Sequence, residues 1–462
     1  MGKQRPIFYN VLLLTGVNLL LRFASTSFQV YLSGKIGAEG IGLLQLVLSV
    51  GALALTIGMA GIRTATMYLC AEVMGQKRTA SMAWVLSGCI GYSICVSLAI
   101  SFGLYQFAPL IAKLWIGTEE TAAAIRLFAG FLPVSCLCGV MVGYYTGVNR
   151  IVTLTIVEVC EQICSMAITI LLLINWCGSN AVRACQAVII GSGSGACVTL
   201  SLLVILKYRQ KDVIGPQIYI RKKLWDTAVP LAIADTVKAG ISTTENLMVP
   251  KRLHLYTGES SPLAAFGMVC GMVFPVLMFP AAILFGLAEL LIPEIARCNA
   301  AGSNVRIRHL TKKSLRLTII YGCICGSILY LTADRLCIKL YQEADAGKYL
   351  RWYALLAPML YCDIIIDAIS KGLGQQKICV RNNIITSAMD VTLLFILLPI
   401  HGMKGYFVSF FISHFTNFVL SLLLLAKITP KEQNAKHLTK NFHDAKIRKK
   451  VGGKTYEYTG CE

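Results

Sequence analysis

Residues 7–32 read IFYNVLLLTGVNLLLRFASTSFQVYL, and residues 224–248 read LWDTAVPLAIADTVKAGISTTENLM. The first stretch is long and apolar, yet Thr15, Asn18, Arg22, Ser25 and Gln29 interrupt it at steps of 3, 4, 3 and 4. That spacing puts all five on one helix face. The second stretch repeats the device 217 positions later: Asn18 answers to Asp235, Ser25 to Ser242, Thr26 to Thr243 and Gln29 to Asn246. An Arg or Asp at bilayer depth costs about 2.5–3.5 kcal/mol on insertion scales. Two matching polar stripes therefore predict two helices facing one wet cavity, in a protein built from two copies of a unit.

Ten further apolar runs accompany these two, at 40–62, 81–107, 126–147, 152–175, 184–207, 263–293, 314–333, 352–371, 382–400 and 403–427. Most have the length that crosses a hydrocarbon core of about 30 Å. Segments seven and ten hold the most charge. The 462 residues are 56% hydrophobic and 14% charged, against about 25% charged in a typical soluble chain. The expected fold class is an all-α polytopic membrane protein, with twelve transmembrane helices in two pseudo-symmetric six-helix bundles. The first run is too long for a cleaved signal peptide and lacks a cleavage site, so it reads as a retained helix.

The net charge of +20 takes its meaning from where the cations lie. With the N-terminus inside, thirty Lys and Arg fall on the cytoplasmic side and eleven outside, with Arg22 and Lys238 within the membrane. This bias predicts cytoplasmic termini and an even number of spans. It also removes nucleic acid as an expected partner and leaves membrane lipid. The predicted organisation is an N-terminal lobe over 1–210, a basic cytoplasmic linker over 211–223, a C-terminal lobe over 224–427 and a basic, disordered cytoplasmic tail over 428–462.

Most of the eighteen cysteines lie inside apolar runs, where they read as packing residues. Gly139, Gly143 and Gly147 step by four and let helices approach closely. No nucleophile motif, phosphate-cradling Gly loop with a Lys, or HExxH sequence occurs. The chain is accordingly read as a non-enzyme, without catalytic residues, metal or cofactor, driven by an ion or substrate gradient or by the membrane potential. The expected substrate-binding cavity residues are Asn18, Arg22, Ser25, Gln29, Asp235, Lys238, Ser242, Glu245 and Asn246. Glu158, Glu161, Asp363, Asp367 and Asp390 are candidate cavity acids or ligands of a coupling cation. Asp235 and Lys238, at i and i+3, are close enough to pair.

Several motifs carry a resemblance. These are Gly37-Ala38-Glu39-Gly40-Ile41-Gly42, Gly143-Tyr144-Tyr145-Thr146-Gly147, Glu161-Gln162, Phe279-Pro280 and Leu291-Ile292-Pro293-Glu294-Ile295. Their order and spacing resemble the multidrug/oligosaccharidyl-lipid/polysaccharide exporter superfamily. Within it the chain looks most like the polysaccharide-biosynthesis branch that includes stage V sporulation proteins, and more distantly like the lipid II flippases. The resemblance covers nearly the whole chain up to about residue 427. It implies a V-shaped, alternating-access transporter in a bacterial cytoplasmic membrane. The implied substrate is a lipid-linked, phosphate-bearing saccharide for the cell envelope, peptidoglycan or sporulation. It also implies that Arg22 matches a cavity arginine that contacts pyrophosphate, whereas Arg63 stands where many relatives carry proline. The alternative is a cation-coupled multidrug antiporter on the same fold, using Asp235, Glu245, Asp363 and Asp367. A membrane glycosyltransferase would need a defined site in an external loop, and no such pattern is present.

Overall fold

The computed structural model describes residues 5–75, 82–178, 180–209, 221–258 and 261–428. Residues 211–220 of the predicted linker and 429–462 of the predicted tail lie outside the described residues, as do the side chains of Thr15 and Asn18. The described chain is helical from end to end. Its helices are α1 (Arg5–Met59), α2 (Ile62–Gly75), α3 (Met82–Ile111), α4 (Ala122–Gly147), α5 (Ile151–Leu172), α6 (Ala181–Tyr208) and α7 (Arg221–Leu253). They continue with α8 (Pro262–Gly267), α9 (Phe274–Met278), α10 (Ala282–Ala300), α11 (Asn304–Tyr341) and α12 (Ala344–Ala354). The last three are α13 (Ala357–Gly372), α14 (Gln376–His401) and α15 (Met403–Ile428).

All twelve predicted segments fall on these helices. Among the described residues, eight helices are long and apolar enough to cross a membrane, or ten when each of two bent pairs counts as one span. Two features account for the difference from twelve. Segments one and two share α1, which kinks at Gly37, where φ is 71° and only glycine is unstrained. Segment seven is α7, whose nine charged residues among 33 make it too polar for a hydropathy test. Segments eight and ten are broken rather than straight. The chain bends by 61° between Met278 and Ala282 and by 56° between Ala354 and Ala357. Pro275 begins α9, and Pro280 lies at the first bend, as expected where proline removes a helical donor.

The chain divides into two compact units. The first comprises Met1–Ile283, Gly326–Leu356 and Ile384–His414. The second comprises Leu284–Cys325, Ala357–Asn383 and Phe415–Glu462. In the first unit, α2, α3 and α4 close over a core that includes Ile62, Leu69, Val85, Val140 and Tyr145. The glycine ladder does what its spacing predicts. A β-carbon on Gly147 would sit 2.7 Å from the Met67 carbonyl oxygen, so α4 and α2 approach backbone to backbone. The cysteines are more varied than expected. Cys89, Cys136 and Cys138 are buried packing residues, but Cys95, Cys160 and Cys323 are exposed. In the second unit, α11 and α13 meet through Tyr321 stacked on Tyr361 at 6.1 Å.

Candidate substrate and ion sites

The break between α1 and α2 builds the first site. Ala60 and Gly61 both take positive φ, 42° and 70°. A β-carbon on Gly61 would lie 2.5 Å from the Ala228 carbonyl oxygen, so the turn seats directly against α7. This puts Arg63 and Thr64, at the start of α2, opposite the polar stripe of α7. Between them is a cavity of about 400 Å³ lined by Thr56, Arg63, Thr64, Asp235, Lys238 and Ser242, with Met59, Gly61 and Ala239. It contains two cations, one carboxylate and three hydroxyls. Asp235, Lys238 and Ser242 are exposed, as a wet face requires. Asp235 and Lys238 share this cavity without an ion pair between them among the described residues.

The rest of the predicted stripe is used differently. Gln29 donates from Nε2 to the Gly271 carbonyl at 3.2 Å. Its repeat partner Asn246 donates from Nδ2 to Ser49 Oγ at 3.0 Å, beside Thr243 Oγ1, which donates to the Ser49 carbonyl at 3.1 Å. The two repeat-related amides thus make reciprocal bonds. The one on α1 reaches the turn after α8, and the one on α7 reaches the second arm of α1. Ser25 accepts from Gln162 Nε2 at 3.0 Å, joining α1 to α5. Arg22 is half-buried on α1, and none of Arg22, Ser25 and Gln29 lines the 400 Å³ cavity.

The acids fall into separate settings. On α7, Glu245 lies near Asp390 of α14, and Asp390 Oδ1 accepts a hydrogen bond from Ser409 Oγ at 2.6 Å. Asp390 is buried and Glu245 half-buried. Glu161 accepts from Thr199 Oγ1 at 2.7 Å, while Glu158 is exposed on α5. In the second unit, Asp363 accepts from Asn417 Nδ2 at 3.4 Å. One turn on, Asp367 pairs with Lys371 at 2.6 Å.

Arg63 is the residue that sequence reasoning set aside and the fold brings into the cavity. The available signal was its position two residues after Gly61, at a turn that must fold back on a neighbouring helix.

The arrangement defines a class: a polytopic helical membrane protein with a polar, net-cationic cavity between the end of the second predicted span and the seventh, rather than between the first and seventh as the matching stripes predict. Comparison with known proteins narrows it. The MatE family model matches residues 248–396. Over 418 residues the chain is 21% identical to stage V sporulation protein B of Bacillus subtilis (strain 168), covering 88% of this chain and 80% of that protein. It is also 22% identical to the probable multidrug resistance protein NorM of Rhizobium meliloti (strain 1021), over 37% of this chain and 35% of that protein. Among solved structures, an inward-facing multidrug resistance MATE family transporter of the MOP superfamily matches with a TM-score of 0.70 at 13% identity, covering 90% of this chain and 98% of that one. The MATE multidrug transporter DinF-BH matches with a TM-score of 0.65 at 15% identity, covering 92% of this chain and 96% of that one. The chain therefore has the fold of the MATE transporters of the MOP superfamily, the superfamily its motifs resemble.

Proposed function

We propose that this transporter moves a lipid-linked, phosphate-bearing saccharide, a polysaccharide or peptidoglycan precursor, across a bacterial cytoplasmic membrane by alternating access. The observation that carries the reading is the cavity that Arg63 and Lys238 line together with three hydroxyls, with Asp235 as the single acid of the lining. Its net positive charge suits an anionic headgroup. An Arg fork donates paired hydrogen bonds to phosphate oxygens, and a Lys adds a mobile point charge. The polar lining replaces the headgroup's hydration while the lipid tail stays in the bilayer. Arg22, with Asn18, Ser25 and Gln29 on its face, makes a second contact when the first unit opens. Similarity to stage V sporulation protein B over most of the chain supports a role linked to sporulation.

Glu245 and Asp390 are the coupling site in this reading. Two neighbouring acids can hold a cation or a shared proton between them. The same pair is what favours the alternative, a cation-coupled multidrug antiporter, along with the partial similarity to NorM. Binding separates the two readings. A fluorescent isoprenyl-diphosphate disaccharide should bind the purified protein and lose about 10-fold or more in affinity in Arg63→Ala and Lys238→Ala, since a hydrogen bond to a charged group contributes about 1.5–3 kcal/mol. Arg22→Lys should retain part of the binding that Arg22→Ala loses. Unchanged affinity in both cavity variants, or tighter binding of a cationic dye that depends on Asp235, removes the assignment.

A further inference from the structure

Helix α11 is 38 residues long, about 57 Å at 1.5 Å per residue, nearly twice the hydrocarbon thickness of about 30 Å. Its lipid-facing surface can be read from exposure. Leu317, Ile320, Ile324, Ile328 and Leu331 are exposed, the last at 79%, and recur at steps of 3, 4, 4 and 3. From Leu317 to Leu331 they cover about 21 Å of helix, and the same face then meets the exposed Arg335, so charge bounds the apolar stripe at both ends. Following the same face toward the N-terminus gives Arg316, Lys313 and His309, all exposed, with Lys312 beside them. The opposite face of this extension is fixed in the protein: Ile307, Thr311, Ser314 and Thr318 are buried at steps of 4, 3 and 4. The cations thus project from a face that is continuous with the lipid-facing one.

Their depth selects a partner. Lys312 and Lys313 lie about 6–8 Å beyond Leu317 along the axis, and Arg316 lies at its level. The headgroup layer on each side is about 5–8 Å thick, so all three charged ends fall within it, aided by snorkelling. Residues three and four apart on a helix are about 5–6 Å apart, a spacing that brackets one phosphate. Further out, Arg306 is already held by Glu294 at 2.7 Å. No carboxylate among the described residues pairs with Lys312, Lys313 or Arg316, and residues 304–317 contain no acid.

We propose that Lys312, Lys313 and Arg316 form a binding site for the phosphate of an anionic phospholipid in the leaflet at the N-terminal end of α11. The site is independent of the cavity residues and of the substrate assigned above. It requires only that α11 crosses the membrane.

Native mass spectrometry of the full-length protein, with phosphatidylglycerol titrated against phosphatidylcholine, tests the site. Each basic residue near an anionic surface is worth about 5-fold in binding, so Lys313→Gln should reduce the phosphatidylglycerol preference about 5-fold. The variant K312Q/K313Q/R316Q should reduce it about 100-fold, and the preference should weaken with salt. Arg306→Gln, which removes an exposed cation of the same helix already paired with Glu294, should change it little. The single variant keeps the test valid if the triple variant fails to accumulate. A wild-type preference in Lys313→Gln, or an equal loss in Arg306→Gln, overturns the site. Preferential capture of an isoprenyl diphosphate over phosphatidylglycerol at these residues overturns the phospholipid assignment.

Discussion

Gln29 and Asn246 make their bonds as a pair, and removing both should release the elements they join. Ser49 Oγ accepts from Asn246 and itself donates to the Gln45 carbonyl at 2.8 Å. Asn246→Leu therefore deletes one bond without orphaning the serine hydroxyl, and Gln29→Leu deletes its counterpart at Gly271. Interhelical side-chain bonds in membranes average about 0.6 kcal/mol and reach about 1.7. Two of them amount to about 1.2–3.4 kcal/mol, or a shift of about 8-fold to 300-fold in the equilibrium between joined and separated states. Single-molecule FRET between labels at positions 110 and 255, both exposed leucines, would read those populations. Each single variant should produce about half the free-energy shift and the double variant the sum, since the bonds have no shared partner. Unchanged populations in the double variant, with only a lower thermal midpoint, would refute the reasoning and leave these bonds a purely folding role.

Three other perturbations follow from the same structure. Gly147→Ala should destabilise the protein by about 1–3 kcal/mol through overpacking against α2, read as a lower thermal unfolding midpoint in detergent; an unchanged midpoint would mean that α4 and α2 can separate freely. Asp390→Asn should abolish stimulation of transport by Na⁺ or a proton gradient while leaving detergent-phase substrate binding intact, and retained ion stimulation would remove the Glu245–Asp390 pair as the coupling site. From the charge bias, Cys461 and a cysteine placed at Lys211 should both resist an impermeant thiol reagent in intact cells, and labelling of either would overturn the assigned topology.

The helices were legible because burial in lipid leaves a long apolar run with a helical period, and every predicted segment lies on one. Their number was harder to recover from hydropathy than from pattern. In α7 the charges that define the stripe also lower the apolarity of the span, so the segment is visible by its match to residues 7–32 and not by its composition. The polar stripe cannot distinguish a wetted face from one bonded to another helix. Asp235, Lys238 and Ser242 line a cavity, whereas Gln29, Ser25 and Asn246 on equivalent faces are bonded to Gly271, to α5 and to the second arm of α1. That choice depends on which backbone carbonyl or hydroxyl arrives opposite, a tertiary fact. Arg63 was underrated for a related reason. Its place in the cavity follows from the left-handed turn at Ala60–Gly61 and the seat of that turn on α7, neither of which a lone Ala-Gly pair announces.

The central claim is that a phosphate-bearing lipid-linked saccharide is the cargo and that Arg63 and Lys238 hold it. Proteoliposomes containing both a fluorescent isoprenyl-diphosphate oligosaccharide and a cationic dye test it directly, with wild-type protein compared with Arg63→Ala and Lys238→Ala. The account predicts protein-dependent flipping of the labelled lipid, lost in both variants, with no ion-driven movement of the dye. Dye efflux by the wild-type protein without any flipping of the lipid would contradict it.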